Sequence, residues 1–468
     1  MKEFEKFLNL SNLISERNLK SLFNVLNRYH GDYENPELSL ELIYNSLFGK
    51  KKFSEKYLTS LMSDLYKTAK YFLAVKEVFN NEVLYNKIIS EEFLKRNLKD
   101  EFEKQIKTAN ELLDKKFSKS KNYFKDKEEL TFINSMYLDT KKDYDKYLNS
   151  YLESMNYSAF ESLLKLFRHN SELYNFKLQN FIGDEFNLSE FLFNSINFEK
   201  LISEIEGIHE DYKTKIKLYY FLSILNKKKS IPFYNEAKEL FFKNRNLFGK
   251  EQKREIYFQF MNFCSYMAIT RDDLTSEVFE FNKTFLYDED KLFLENNFFD
   301  RRLFRNIALC AIQLNENNWA INFINENKIY LEKEAEDNLV YYLLGVAYSR
   351  LREYEKSLEI LSKVKFNYGT YKEDILILKA ATLFELGYYV ESYETLISFK
   401  KTFKKTSAMS KGIYNYYNNS INFFLKFLNI VLKNKYSDLN FLEVKLKECE
   451  EISIKSWLLG KINDFKIK

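Results

Sequence analysis

The chain has 468 residues, of which 45% are hydrophobic and 30% charged, enough for a large core or an extended repeat array. Only 10 Gly and 2 Pro occur, too few for the turns of a sheet protein, so helix is expected nearly throughout. The formal net charge of +4, from 72 basic and 68 acidic residues, speaks against a general nucleic-acid or membrane binder and leaves only local patches.

The first ten residues carry acids and no long apolar run, unlike a signal peptide. Helices are expected over 3–10 and 15–30, then a break at Gly31 to Pro36. A short helix follows from Ser39 and ends at Gly49. Ser54 reads as the N-cap of the next helix, with Glu55 in its first turn and Leu58, Leu61, Met62 and Leu65 at helical spacing. Further helical runs are expected over 78–96 and 102–116. The segment KKFSKSKNYFKDKE at 115–128 is rich in Lys and Ser and reads as a loop or solvated helix end and as a domain boundary. Three regions follow: an N-terminal helical region (1–115), a helical connector (116–200) and a helical-repeat region (201–468).

Within 201–468 the helices read as pairs: 212–225 with 233–242, which Pro232 opens, 256–267 with 274–285, and 303–314 with 318–329. Between Leu339 and Phe399 two units share a register. Gly345 and Ala380 lie 35 residues apart on first helices, and Ser357 and Ser392 lie 35 apart on second helices. Ala308 and Ala320 hold the same places one unit earlier. Two helices approach closely only where one side chain is small, and Tyr348, Leu361 and Leu396 fill the adjacent space. Longer and shorter helices over 410–435, 442–452 and 457–465 close the chain. The run 421–432 is too short for a membrane span.

These units resemble tetratricopeptide repeats, most clearly over 303–399 and in weaker form over 201–468. Departures are Lys379 at an aliphatic place, Arg352 at the inter-helix Gly, and no closing Pro. The chain is also similar to a family of cytoplasmic proteins from Bacteroidota and related bacteria that has no assigned activity. The similarity lies in Ser46-Leu47-Phe48-Gly49, Leu58-Thr59-Ser60-Leu61-Met62-Ser63-Asp64-Leu65, Arg305-Asn306-Ile307-Ala308, Asn318-Trp319-Ala320 with Phe323-Ile324, and Trp457-Leu458-Leu459. The resemblances imply an all-α solenoid of tetratricopeptide-like helix pairs in the cytoplasm, preceded by N-terminal helices, and they carry over no catalytic residue.

No chemical constellation emerges. His30, His169 and His209 are isolated, and no HExxH pair or clustered glycines occur. Cys264, Cys310 and Cys449 are far apart and read as buried thiols in a reducing compartment. Asp272-Asp273 and Asp288-Glu289-Asp290 read as solvated loop acids. The 45 Phe and 35 Tyr are accounted for by a base composition poor in G and C, with aromatics as core filler. The chain is therefore expected to be a non-enzymatic adaptor without cofactor or metal that binds a protein or peptide. Arg302, Arg305, Tyr342, Arg350 and Phe384 are the candidate groove residues. Tyr342, Val346, Ile377 and Ala381 stand where a carboxylate clamp would carry Lys and Asn. The alternative is a nucleic-acid-associated regulator with a helix-turn-helix-like segment at 39–75, whose Lys50, Lys51, Lys52, Lys56 and Lys67 would meet phosphates. Its second helix lacks a cluster of Arg, Asn or Gln for base edges.

Overall fold

The computed structural model describes residues 2–10, 18–32, 35, 38–49, 51–115, 122–178, 187–205, 210–268, 271, 273–364, 371–404 and 411–467. Among these the chain is almost entirely α-helical. It divides into two compact units, residues 1–166 and 167–468.

In the first unit, α1 (Lys2–Leu10), α2 (Leu19–Asn27), α3 (Leu40–Phe48) and α4 (Glu55–Asn80) close over a core of Phe4, Leu22, Phe23, Ile43, Leu58 and Leu61. Ser39 and Ser54 cap α3 and α4 by accepting from Leu42 N and Tyr57 N, and Gly49 ends α3 at φ 64°. The left-handed conformation there favours glycine. Helix α4 runs on to Asn80, past the expected start of the next run at 78, and Asn81 then caps α5 (Glu82–Lys95). Helices α6 (Lys99–Lys115) and α7 (Tyr123–Thr140) follow, then α8 (Tyr144–Leu178).

The expected boundary at 115 is not where the chain divides. Residues 116–121 lie outside the described residues, and 123–128 is the start of α7, the helix-end alternative of the two expected there. Phe102 of α6 packs on Tyr137 of α7 with ring centroids 4.4 Å apart, and Lys127 bonds Asp114 at 2.9 Å. Lys127, read from the sequence as part of a solvated segment, is thus an ion-pair partner of the preceding helix. The second expected boundary, at 200, lies inside α10 (Phe198–Glu204).

The second unit continues with α9 (Leu188–Ser195), α10, α11 (Glu210–Lys228), α12 (Ile231–Lys243), α13 (Lys250–Met267) and α14 (Asp273–Leu286). Pro232 sits in the first turn of α12, where its missing N–H costs nothing. One feature departs from the helical expectation. Leu294–Glu295 and Phe298–Phe299 form a short antiparallel hairpin turned at Asn296 and Asn297, with φ 50° and 69°. Two positive φ angles in a two-residue loop match the twist of paired strands.

Three helical hairpins follow: α15 (Arg301–Gln313) with α16 (Asn317–Asn327), α17 (Lys333–Arg350) with α18 (Tyr354–Ser362), and α19 (Lys372–Glu385) with α20 (Tyr389–Thr402). Each helix packs on the next, which continues the stack. The three turns are the same. Asn315, Arg352 and Gly387 adopt φ 63°, 63° and 84°, and the residue after each donates its N–H to the carbonyl of Ala311, Tyr348 or Leu383. This left-handed closure satisfies carbonyls that the helix end would orphan. Ala308, Ala320, Ala380, Ser357 and Ser392 are all fully buried, at the shared register the sequence predicts. Finally α21 (Lys411–Leu432), α22 (Leu439–Glu448) and α23 (Lys455–Lys466) build a core of Phe424, Phe427, Leu428, Leu442, Leu458 and Ile462. Among the described residues no helix is long and apolar enough to cross a membrane.

Candidate functional site

The first helices of the last two hairpins, α17 and α19, together with α21 and the C-terminal segment, enclose a groove of about 1160 Å³. Its floor is apolar and comes from Val346 of α17 and Ile377, Leu378 and Ala381 of α19. Asp374 and Glu385, at opposite ends of the α19 stretch, are 11 residues apart, so the groove runs for roughly 16 Å along that helix.

One end is aromatic. Tyr342 and Tyr371 stack with centroids 5.4 Å apart and planes 4° from parallel. The Arg305 guanidinium lies 5.1 Å from the Tyr371 ring centre, and its charge opposes the upward push on the Tyr342 phenol. Its Nε is buried with no hydrogen-bond partner. Tyr371 precedes α19 at φ 78°, a left-handed conformation rarely adopted by a bulky residue. Such backbone strain costs about 1–3 kcal/mol and concentrates at functional sites.

The carboxylate at this end is Asp374. Tyr417 Oη donates to Asp374 Oδ1 at 3.0 Å, and Arg305 adds a favourable charge. Burial outweighs both and holds the Asp374 carboxyl above the usual carboxylate range. Burial first, and then the Asp374 charge, push the Tyr342, Tyr416 and Tyr417 phenols upward.

The other end is set by Glu385. Trp457 Nε1 donates to Glu385 Oε1 at 2.7 Å and Lys461 Nζ pairs with Oε2 at 2.9 Å. Helix α23 is fixed as a wall of the groove by these two bonds and by burial of Leu458, Ile462 and Phe465. Arg350, exposed at the end of α17, and Arg352 in the following turn also line the groove.

The expected groove residues therefore separate. Tyr342 and Arg350 line it, and Arg305 supports its aromatic end. Arg302 is exposed in the first turn of α15 and is not part of the lining. Phe384 is a correction: it is 4% exposed and sits in the core against Phe427, Trp457 and Phe465 at centroid distances of 5.3, 5.6 and 5.9 Å. Helix α19 buries Ile375, Ile377, Ala380, Thr382, Leu383 and Phe384, so its periodicity does not tell the groove side from the core side. Sequence reasoning missed Tyr371, Asp374, Glu385, Tyr417, Trp457 and Lys461. The one available signal was Trp457, one of two tryptophans in the chain.

The remaining candidates lie elsewhere. Lys51, Lys52, Lys56 and Lys67 are exposed around the start and along α4, with Lys67 within 3.9 Å of Asp64, whereas Lys50 falls outside the described residues. His30 and His169 are exposed, and His209 lies outside the described residues. Of the loop acids, Asp272 also lies outside them, Asp288 pairs with Arg245, and Asp290 pairs with Lys253 at 2.8 Å. Cys264 is buried beside Tyr234 and its thiol is pushed up to about 12 by burial, which keeps it protonated. Cys310 lines a second groove of about 740 Å³ between α13, α14 and α15, and burial pushes its thiol up to about 11. Among the described residues no three His, Cys, Asp or Glu side chains converge so as to hold a metal ion.

Fold and groove together define an all-α protein of stacked helical hairpins with an aromatic-ended groove across its last first-helices. No family model matches the chain, and no curated protein is significantly similar to it.

Proposed function

We propose that this chain is a non-enzymatic interaction adaptor, a tetratricopeptide-like α-solenoid working in the cytoplasm, whose α17–α19–α21 groove takes a peptide segment of a partner protein. The observation that supports this most is the groove itself. Its volume of about 1160 Å³ exceeds the ~300–1,000 Å³ usual for small-molecule pockets. Its apolar floor with polar groups at both ends suits an extended or helical segment with apolar anchors. Asp374, with one carboxylate oxygen bonded by Tyr417 and aromatic faces around it, suits a positive group at one end of the ligand.

The test is selection of binders from a random peptide display library, followed by titration on the purified chain. Ala381→Trp fills the floor and is expected to weaken a selected peptide at least tenfold without changing helicity. Peptides that bind Ala381→Trp as well as the parent chain would overturn the reading. The nucleic-acid alternative rests on the exposed Lys51, Lys52 and Lys56 and predicts salt-sensitive binding that is lost when these three are neutralised.

A further inference from the structure

The N-terminal unit carries an apolar face that its own core does not use. On α8 the core side is Ser150, Ser154, Tyr157, Phe160 and Leu164. On the opposite side Leu148, Leu152 and Met155 are 54%, 57% and 55% exposed, and Ala159 follows them in the open. The four recur at steps of 4, 3 and 4 residues, the spacing of a coiled-coil seam. Tyr151 of α8 and Phe132 and Met136 of α7 widen the face, and the Phe132 and Tyr151 rings are 6.1 Å apart. None of these seven residues is charged, in a chain that is 30% Asp, Glu, Lys and Arg. Aromatic residues and Met enriched, and charge depleted, is the composition of an interface core rather than of a solvated helix.

We propose that this α7–α8 face is the interface of a homodimer, with α8 of one copy antiparallel to α8 of the other. The charge and the register of the seam select a second copy as the occupant. A two-fold interface must be complementary to itself. The four central seam positions are uncharged and meet their copies without like-charge repulsion. When the dyad passes midway between Leu152 and Met155, Leu152 of each copy faces Met155 of the other and Leu148 faces the small Ala159, so large residues meet small space at the ends of the seam. Area agrees. Taking ~200 Å² for a full-size side chain, the exposed part of the face comes to roughly 600 Å² per copy, or about 1,200 Å² when doubled, the lower bound of stable interfaces. With Phe132 and Met136 included, the assembly is a four-helix packing of two α7–α8 hairpins. This interface is separate from the groove and does not rest on the function proposed for it.

Sedimentation velocity of the full chain at 1–100 μM tests it, with circular dichroism as the control for folding. The parent chain is expected to sediment as a dimer. Leu152→Glu is expected to raise the dimer dissociation constant at least tenfold with unchanged helicity. Met155→Lys gives an independent reading with the opposite charge. The double variant Leu152→Glu, Met155→Lys sets opposite charges across the dyad and is expected to recover part of the dimer. A parent chain that stays monomeric at 100 μM overturns the proposal, as does a dimer insensitive to both single substitutions.

Discussion

The Ser357 hydroxyl of α18 donates to the Gly345 carbonyl of α17 at 2.7 Å, a buried bond between the two helices of one hairpin. The next hairpin repeats it, with Ser392 donating to Ala380 at 2.7 Å. The smallness of the residue on the first helix lets the second helix come near enough for a hydroxyl to reach its backbone. At Gly345 the closeness is extreme: a Cβ there would lie 2.5 Å from Leu361 Cδ2 and 2.7 Å from its Cγ.

Gly345→Leu is therefore expected to destabilise by about 1–3 kcal/mol through over-packing. Ser357→Ala removes only the inter-helix bond and is expected to cost about 1 kcal/mol. Urea midpoints at constant slope measure both. Coupling is the sharper check: Gly345→Leu with Leu361→Ala is expected to cost clearly less than the sum of the single changes, because the second makes room for the first. Additive costs would place the clash elsewhere.

Arg352 holds φ 63° in a turn whose counterpart in the next hairpin is Gly387. A left-handed non-glycine residue costs about 1–2 kcal/mol, partly offset by the greater freedom of glycine in the unfolded chain. Arg352→Gly is expected to stabilise the fold by about 0.5–1 kcal/mol, seen as a higher melting temperature. A lower melting temperature would mean that the guanidinium contributes more than its backbone strain costs.

Asp374 is the groove carboxylate whose ionisation burial opposes. Its folded pKa lies above the unfolded one, so its charged form lowers stability once the pH rises through the folded value, and this loss is absent below the unfolded value. Asp374→Asn keeps an acceptor for Tyr417 and is expected to be at least as stable as the parent chain at pH 7. The advantage disappears at pH values below the ordinary carboxylate range. Urea midpoints at pH 7 and pH 3 check the sign, and a variant less stable at pH 7 would contradict it.

Glu443 of α22 shows the opposite linkage. Its bond to Lys447 at 2.6 Å and its ion pair with Lys466 of α23 hold its carboxyl down at about 2. The stabilisation is fully present above the unfolded pKa of about 4.3 and is lost as the pH falls through about 2. Glu443→Gln is expected to speed amide exchange in α23 at pH 7, with the difference from the parent chain vanishing near pH 2. Equal exchange at pH 7 would show that the apolar contacts of Leu458, Ile462 and Phe465 hold this helix alone.

Much of the local structure is legible in the residues. Ser39, Ser54 and Gly49 announce the ends of α3 and α4 because caps and left-handed turns require particular side chains. Pro232 announces the start of α12. Turns are less legible. Asn97, Lys142, Asn315, Arg352 and Asn434 all hold positive φ, the place where glycine would be the signal, and in this set of hairpin turns only Gly387 gives it.

By itself the sequence determined the helical class and the register of the repeats, because both follow from spacing along one chain. Apolar residues recur at helical steps, and small residues return at fixed intervals where two helices touch. Tertiary structure alone decided what each face meets. It sent Phe384 into the core and set Arg305, Tyr342, Tyr371 and Asp374 side by side from three different helices and a turn. It also closed one wall of the groove with Trp457 and Lys461, 72 and 76 residues beyond their shared partner Glu385. No local spacing encodes such meetings, since they depend on how whole hairpins stack. The stacking in turn depends on the close approach that Gly345 and Ser357 permit.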